Sequence, residues 1–218
     1  MIGDHILVLP GGGYEDLAAH EGEPVQKWLE RAGVAASVCP YPVNSRHPLP
    51  LEAIRAEIRR VREAGAERIG LMGFSAGGHA AASAALAPGA RPDERVDAVV
   101  LGYPVVSMEL ETHAGSRRAL LGDEPADNLR AQTSVDRMVT PQAPPFFIWH
   151  TAPDDAVPVE HSYRLASALA RAGVNHEFHV FAEGGHGLGI RDVPLGAVVW
   201  RELCERWLGT RGWLPREV

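Results

Sequence analysis

Short apolar runs alternate with amphipathic segments along the chain. The runs predict about six strands, over residues 5–9, 35–40, 68–72, 98–101, 146–150 and 176–181. Most of them are continuous rather than alternating, as expected of parallel strands that are covered on both faces. Apolar residues at helical spacing fill the intervals between the runs. The pattern therefore predicts an α/β protein with a mostly parallel sheet and helices on both of its faces.

Proline and glycine mark the ends of several predicted helices. Pro24 begins one helix and Gly33 ends it, and Pro158 and Gly173 do the same for another. Further helices are predicted over residues 51–64, 76–87 and 193–208, with a short one near 116–120. The longest stretch without a strand, residues 109–144, is too short for a large lid. We therefore expect a site that is open or is closed by another subunit.

Composition and charge fit a single domain over residues 1–218. The chain has 218 residues, of which 45% are hydrophobic, and this is enough to bury one sizeable core. Acidic residues outnumber basic ones by 28 to 21, which gives a net charge of −7. The densest basic cluster, residues 55–62, is interleaved with Glu57, as is typical of a solvated helix face. Nucleic acid is therefore not an expected partner.

The sequence carries no visible export or membrane signal. The N-terminus lacks a basic segment followed by a long apolar stretch, and no window reaches the ~20 apolar residues of a membrane span. The two cysteines, Cys39 and Cys204, lie in apolar runs and are expected to be buried thiols. We therefore expect a cytoplasmic protein with no membrane partner.

Residues Gly73-Phe74-Ser75-Ala76-Gly77 form a G-x-S-x-G motif between a predicted strand and an alanine-rich predicted helix. In this context a sharp turn lifts the serine and presents it as a nucleophile. Glycine flanks the turn because little room is left there for a Cβ atom. A glycine-rich turn into a helix would give the same short pattern, so the rest of the chain must decide between the two interpretations.

Three further elements have the chain order of a hydrolytic site. An acid, Asp154 or Asp155, follows the fifth predicted strand, and His186 lies in a later glycine-rich loop. Serine, acid, histidine is the order found in α/β-hydrolases. The serine needs an imidazole to accept its proton, and the imidazole needs a carboxylate to orient it. Upstream, Gly11-Gly12-Gly13 follows the first strand, where backbone N–H groups can turn toward an oxyanion.

The chain resembles α/β-hydrolases of the acetyl esterase and acetyl-xylan-esterase-like group. The match is carried by Leu9-Pro10-Gly11-Gly12-Gly13-Tyr14, His20-Glu21-Gly22, Gly73-Phe74-Ser75-Ala76-Gly77-Gly78-His79, Tyr103-Pro104-Val105, His113-Ala114-Gly115-Ser116, Trp149-His150-Thr151-Ala152, Val157-Pro158-Val159-Glu160 and Gly184-Gly185-His186-Gly187-Leu188-Gly189. These segments are spread over residues 6 to about 190, which is nearly the whole chain. Pro10 departs from the pattern, because many relatives in the wider esterase class have histidine there.

The resemblance implies a serine ester hydrolase whose triad is Ser75, His186 and Asp154. Ser75 is expected to attack the acyl carbon, and His186 to act first as base and then as acid. Asp154 is expected to orient His186. It is preferred to Asp155 because the related pattern places the acid four residues before Pro158, in Val157-Pro158.

The resemblance also implies the groups around the triad. The N–H groups of Gly12, Gly13 and Ala76 are expected to form the oxyanion hole, and Tyr14 to contact the substrate. No cofactor and no metal are expected. The substrate is expected to be a small-molecule ester with a short acyl group, such as an acetylated sugar. A peptidase, a lactone hydrolase or a non-catalytic binding protein on the same fold are the alternatives.

The sequence leaves the roles of His20 and His79 undecided, as well as what covers one edge of the sheet. His20 with Glu21 could suggest a metal, but without an H-E-x-x-H set a loop-anchoring role is favoured. His79 either faces the pocket or anchors the serine turn. Few residues precede the first strand, so the sheet should lack the usual N-terminal strand pair. Its apolar edge is expected to be covered by N-terminal residues, by residues 213–218 or by a second subunit of a homo-oligomer.

Overall fold

Six parallel strands form one sheet in the computed structural model, which describes residues 3–109, 113–191 and 196–215. The strands are β1 His5–Leu9, β2 Ala35–Val38, β3 Ile69–Phe74, β4 Ala98–Gly102, β5 Phe146–Thr151 and β6 His176–Phe181. Their order across the sheet is β2-β1-β3-β4-β5-β6, and every neighbouring pair is parallel. The predicted parallel sheet of about six strands is confirmed.

Helices connect successive strands and cover the sheet. In the described part of the chain they are α1 Glu23–Arg31, α2 Leu49–Glu63, α3 Ser75–Leu86, α4 Ala114–Leu121, α5 Asp127–Gln132, α6 Glu160–Arg171 and α7 Trp200–Thr210. None of these helices is both long enough and apolar enough to cross a membrane. The described part of the segment between β4 and β5, which leaves out residues 110–112, holds only α4, α5 and a short 3₁₀ turn and includes no large lid.

Alternate residues of each strand point into two separate cores, one on each face of the sheet. Leu7 and Leu71 belong to the core under α2, α3 and α6, whereas Val8 and Met72 belong to the core under α1 and α7. This follows from the period of two in a strand, and it explains why the inner strands β3 and β4 are buried and apolar along their whole length. The predicted placement of helices on both faces is confirmed.

Most predicted element boundaries agree with the structure, and the differences have physical causes. Gly33 and Gly173 follow α1 and α6 with φ of 96° and 70°, the left-handed conformation that ends a helix. Helix α5 was not predicted, because it has only six residues, none of them fully buried, and among them Leu129 alone packs against the core. The helix predicted over 193–208 begins at Trp200 after a 3₁₀ turn, and residues 192–195 lie outside the described residues.

The edge beside β1 is formed by the short strand β2. Within the described residues, the C-terminal segment packs on the face of β3 and against the turn that leads into β2. The Trp213 ring packs on Gly70, so closely that a Cβ at Gly70 would lie 3.4 Å from the ring. The Arg68 guanidinium lies 4.6 Å from the centroid of the same ring. Pro215 packs against Gly33, in the turn that leads into β2. These contacts do not cover the outer edge of β2, so the expected cover of that edge stays a prediction; residues 216–218 of the expected C-terminal cover lie outside the described residues.

Strand order determines where a site can form. The connection from β1 runs outward to β2, and the chain then crosses back so that β3 lies on the other side of β1. At such a reversal the loops after the two central strands separate and leave a crevice at their carboxyl ends. The loop after β1 carries Gly11-Gly12-Gly13, and Ser75 directly follows the last residue of β3. The sheet therefore brings the glycine loop and the serine to one edge.

Candidate active site

Ser75 occupies a strained turn between β3 and α3. Its φ is +53°, which is unusual for a residue with a side chain and is typical of a nucleophile on a strand-to-helix turn. The residues that flank the turn must be glycines, because other parts of the backbone lie where their Cβ atoms would be. A Cβ on Gly73 would lie 2.3 Å from the carbonyl oxygen of Gly77, and one on Gly77 would lie 2.2 Å from that of Leu9. The motif therefore has the geometry that its sequence predicts.

Gly77→Ala should lower the free energy of unfolding by at least about 2 kcal/mol, because the added methyl group overlaps backbone that cannot move without shifting β1. Urea denaturation measures this change. Gly209→Ala is the matched control, since a Cβ there meets nothing within 4 Å and Gly209 lies in α7. It should be neutral or stabilise by up to about 1 kcal/mol. Equal stabilities for the two variants would contradict the close approach at Gly77.

Ser75, His186 and Asp154 form a hydrogen-bonded chain across the carboxyl edge of the sheet. Ser75 Oγ lies 2.8 Å from His186 Nε2, and His186 Nδ1 lies 2.7 Å from Asp154 Oδ2. A carboxylate only accepts, so the imidazole proton lies on Nδ1. Nε2 is then unprotonated and can accept the Ser75 proton. The structure thus brings together the three residues that the sequence analysis selected.

Asp154 is buried and is held in its charged form. Its Oδ1 accepts the N–H groups of Ala156 at 3.0 Å and Val157 at 2.9 Å. Burial alone would raise the pKa of Asp154, but hydrogen bonds from His150, His186 and the Val157 N–H outweigh it and hold this pKa well below its ordinary value. The carboxylate therefore stays ionised beside His186 at neutral pH.

His150 is a second histidine on Asp154, and the sequence analysis gave it no role. It is fully buried, and its Nε2 lies 3.2 Å from Asp154 Oδ2 and 3.0 Å from the Val157 carbonyl oxygen. Both neighbours are acceptors, so the proton is on Nε2, and Nδ1 accepts from Ser162 Oγ at 2.7 Å. Its position four residues before the acid was visible in the sequence, but its contact with the carboxylate was not.

The glycine loop lies directly against the serine. A Cβ on Gly11 would lie 2.9 Å from Ser75 Cβ, which places the loop over the turn. The Gly11 N–H donates to Glu21 Oε2 at 2.7 Å, whereas no described residue accepts from the N–H of Gly12 or Gly13. Ala76 is the second residue of α3, so its N–H has no partner within the helix. These three N–H groups remain free to bind an oxyanion.

Tyr14 and His79 form a buried pair behind the glycine loop. Tyr14 is 2% exposed, and its hydroxyl lies 2.7 Å from His79 Nδ1. His79 Nε2 faces the Thr133 carbonyl oxygen at 2.7 Å, so His79 accepts from Tyr14. Burial lowers the pKa of His79 to about 4 and keeps it neutral. This placement favours anchoring by both side chains and gives no support to the expected contact between the Tyr14 phenol and substrate.

His113 lies at the exposed side of the glycine loop. Its Nδ1 accepts the Ser116 N–H at 3.2 Å and lies 3.0 Å from Ser116 Oγ, at the start of α4. A Cβ on Gly13 would lie 3.5 Å from His113 Cε1. The histidine of the His113-Ala114-Gly115-Ser116 segment therefore borders the site.

His20 and Glu21 anchor loops, as the sequence analysis favoured. His20 Nε2 lies 3.0 Å from the Gly187 carbonyl oxygen, and Glu21 binds the Gly11 N–H. Among the described residues, no group of three or more histidine, cysteine or acidic side chains could hold a metal ion. Neither residue therefore belongs to a described cluster of metal ligands.

Comparison with known proteins places the chain in a family. Residues 52–197 match the model of the prolyl oligopeptidase family. The chain is 36% identical over 205 residues to endo-1,4-beta-xylanase B of Butyrivibrio fibrisolvens and 32% identical over 200 residues to an acetylxylan esterase of Xylanibacter ruminicola. These matches include 85% and 86% of this chain but only 32% and 41% of the two relatives. The chain thus spans less than half the length of the curated relatives that it matches.

Solved structures match over almost the whole chain. The acetyl ester-xyloside bifunctional hydrolase from Caldicellulosiruptor lactoaceticus is 41% identical, with a TM-score of 0.92 and coverage of 97% of this chain and 84% of that one. The carboxylesterase Cest-2923 from Lactobacillus plantarum is 28% identical, with a TM-score of 0.85 and coverage of 99% and 88%. The predicted α/β-hydrolase fold and the resemblance to acetyl esterases are confirmed. The chain belongs to the prolyl oligopeptidase family of α/β-hydrolases.

Proposed function

We propose that the protein is a serine carboxylic-ester hydrolase that acts on short-acyl esters through a covalent acyl-enzyme. One observation carries this proposal: the hydrogen-bonded chain from Ser75 through His186 to the buried Asp154. The names of its relatives, an acetylxylan esterase, an acetyl ester-xyloside hydrolase and a carboxylesterase, support the same reaction. Sequence and geometry thus favour one chemistry.

The proposed first half-reaction forms an ester between Ser75 and the acyl group. His186 Nε2 accepts the Ser75 proton while Oγ attacks the acyl carbon, and the imidazolium that forms is stabilised by Asp154. His186 then gives the proton to the departing alcohol oxygen. Water attacks the acyl-enzyme with His186 again as base, which releases the acid and restores Ser75. Neither of the two proposed half-reactions uses a cofactor.

The negative oxygen of each tetrahedral intermediate needs donors, and we assign this role to Gly12, Gly13 and Ala76. The N–H groups of Gly12 and Gly13 have no acceptor among the described residues, and Ala76 adds a third at the start of α3. The positive end of that helix also lies beside Ser75 and favours negative charge there. Loss of one such donor typically lowers kcat by about 10²–10³-fold.

Acetyl and propionyl esters should be preferred to octanoyl esters in kcat/KM. A long acyl chain gains about 0.8 kcal/mol for each methylene that it buries, and this gain requires an apolar groove, which a lid often supplies. The described chain has no large lid, and the segment between β4 and β5 is occupied by short helices. A series of p-nitrophenyl esters of increasing chain length, together with acetylated xylose and glucose, measures this preference. Octanoate cleaved as efficiently as acetate would contradict the small acyl pocket.

A peptidase is the second candidate, because the family model that matches the chain is named for prolyl oligopeptidase. The same triad could cleave a peptide bond, since a fold hosts many reactions. The structural and curated relatives named as esterases favour the ester over the amide. Parallel assays with p-nitrophenyl acetate and with an alanyl-prolyl p-nitroanilide separate the two. Faster cleavage of the anilide would replace the esterase proposal.

A further inference from the structure

A buried carboxylate outside the triad lies between two loops of the site. Glu21 is 2% exposed and belongs to the 3₁₀ turn Ala19–Glu21, which follows the glycine loop. Removing a carboxylate from water costs several kcal/mol unless donors surround it. In the described structure neither lysine nor arginine forms an ion pair with Glu21; its partners are a backbone N–H, a tyrosine hydroxyl and His20.

One oxygen of Glu21 holds the glycine loop, here defined as residues 10–13. Glu21 Oε2 accepts the Gly11 N–H at 2.7 Å, and Gly11 lies against Ser75. This bond fixes the Pro10–Gly11 peptide plane, one residue before Gly12, whose φ is +118°. The Glu21 carboxylate thus restrains the backbone that leads directly into the unpaired N–H groups of Gly12 and Gly13.

The other oxygen of Glu21 reaches the histidine loop, here defined as residues 184–189. The Tyr103 hydroxyl donates to Glu21 Oε1 and accepts the Gly189 N–H at 2.6 Å. Tyr103 is fully buried, and its ring packs edge-on against His186 with centroids 4.9 Å apart. The carboxylate and the tyrosine thus connect the end of the histidine loop to the glycine loop.

A second contact reinforces the connection to the histidine loop. His20 Nε2 lies 3.5 Å from Glu21 Oε1 and 3.0 Å from the Gly187 carbonyl oxygen. Gly189 is closely packed on both side chains, since a Cβ there would lie 2.9 Å from His20 Cδ2 and 3.1 Å from Glu21 Cγ. The turn that holds the glycine loop therefore also supports the backbone on the C-terminal side of His186.

We propose that Glu21 is a positioning residue that fixes the oxyanion N–H groups and the base His186 relative to each other, through Gly11 on one side and Tyr103 on the other. The proposal rests on the esterase function proposed above. Glu21 itself does not touch the reacting atoms, and its effect on the rate comes from the groups that it positions. Small displacements of two groups that must act on one carbonyl reduce the rate strongly, on the order of 10²-fold for about 1 Å.

Glu21→Gln tests the proposal, with Glu94→Gln as its matched control. Glutamine keeps the size of the side chain but cannot accept from both the Gly11 N–H and the Tyr103 hydroxyl. Glu94 is also a buried carboxylate, 5% exposed, but it pairs with Arg59 and lies before β4, at the opposite end of the sheet from Ser75. Both substitutions should lower the melting temperature. Only Glu21→Gln should lower kcat for p-nitrophenyl acetate, by about 10²-fold, with KM changed less than about threefold.

Tyr103→Phe separates the two sides of the connection. It removes the bond to Gly189 but leaves the bond between Glu21 and Gly11, so its kcat should fall less than that of Glu21→Gln. In ¹H–¹⁵N spectra, Glu21→Gln should move the amide signals of both Gly11 and Gly189. Tyr103→Phe should move that of Gly189 and leave that of Gly11 near its wild-type position.

The outcomes distinguish this inference from the proposed function. All kinetics are measured well below the melting temperature of each variant, so that loss of folded protein does not contribute. Wild-type kcat in Glu21→Gln, with a lowered melting temperature, would show that Glu21 only stabilises the fold and would overturn the inference alone. A wild-type protein that neither hydrolyses p-nitrophenyl acetate nor reacts with a fluorophosphonate would overturn the proposed function and this inference with it.

Discussion

Replacing Ser75 by alanine should lower kcat for acetyl esters by about 10⁶-fold, the loss expected when the nucleophile of a triad is removed. Ser75 has a positive φ, and its Oγ lies 2.8 Å from His186 Nε2. Among the described residues, no other hydroxyl forms a hydrogen bond with that nitrogen. Reaction with a fluorophosphonate should be lost together with turnover. Both are measured on protein whose circular dichroism matches that of the wild type.

Ser83→Ala is the matched control for this substitution. Ser83 lies on the same helix α3 and is as buried as Ser75, at 8% exposure, but it is eight residues further along the helix, a separation of about 12 Å. Its variant should keep wild-type turnover and labelling. Persistent labelling or turnover in Ser75→Ala, at the level of Ser83→Ala, would show that another group is the nucleophile.

Asp154→Asn should lower kcat by about 10⁴-fold, whereas Asp155→Asn should change it less than about threefold. The first substitution replaces a carboxylate that accepts from His186 Nδ1 with an amide that no longer fixes the tautomer. Nε2 can then carry the proton and fail to act as base. Asp155 is exposed and adjacent in sequence, so it controls for the local change in charge.

Steady-state kinetics with p-nitrophenyl acetate measure both variants. KM should remain within a few-fold of the wild-type value in each case, because neither carboxylate is expected to bind the ester. If the two variants exchange their effects, the acid has been assigned to the wrong residue, and the hydrogen bond between Asp154 and His186 is not the catalytic one.

The number and direction of the strands were predictable because most of them are buried on both faces and therefore continuously apolar, whereas the edge strand β6 is half-buried and carries His176, Glu177 and His179. Strand boundaries were less exact where polar or glycine residues pair in the sheet. β3 was predicted to end at Met72, but it continues to Phe74 because Gly73 pairs with Leu9 and with Leu101. Single-sequence patterns describe local preference, and this extension depends on neighbours far along the chain.

The positions of Ser75, Asp154 and His186 were predictable because their local motifs constrain the backbone around them. Gly73 and Gly77 flank the serine because the neighbouring backbone leaves no room for a Cβ atom at either position. This requirement is visible in the motif itself. In contrast, the substrate contact expected for Tyr14 finds no support, because the neighbour that binds its hydroxyl is His79. Nothing in the sequence around Tyr14 indicates this pairing.

The connections that hold the two site loops together were beyond the reach of sequence motifs. Glu21 meets Tyr103 across 82 positions of the chain, and the pair forms because β1 and β4 flank β3 in the sheet. The sequence analysis favoured an anchoring role for Glu21 but did not predict what it anchors. Long-range hydrogen bonds of this kind require the strand order, which the apolar pattern does not contain.

Direct detection of the acyl-enzyme tests the central claim most sharply. Protein mixed with p-nitrophenyl acetate and quenched in acid within the first turnover is digested and analysed by tandem mass spectrometry. The account predicts an acetyl group on Ser75, absent from Ser75→Ala and increased in the wild type under conditions that slow deacylation. Full turnover without acetylated Ser75, or with the acetyl group on another residue that turnover requires, would contradict it.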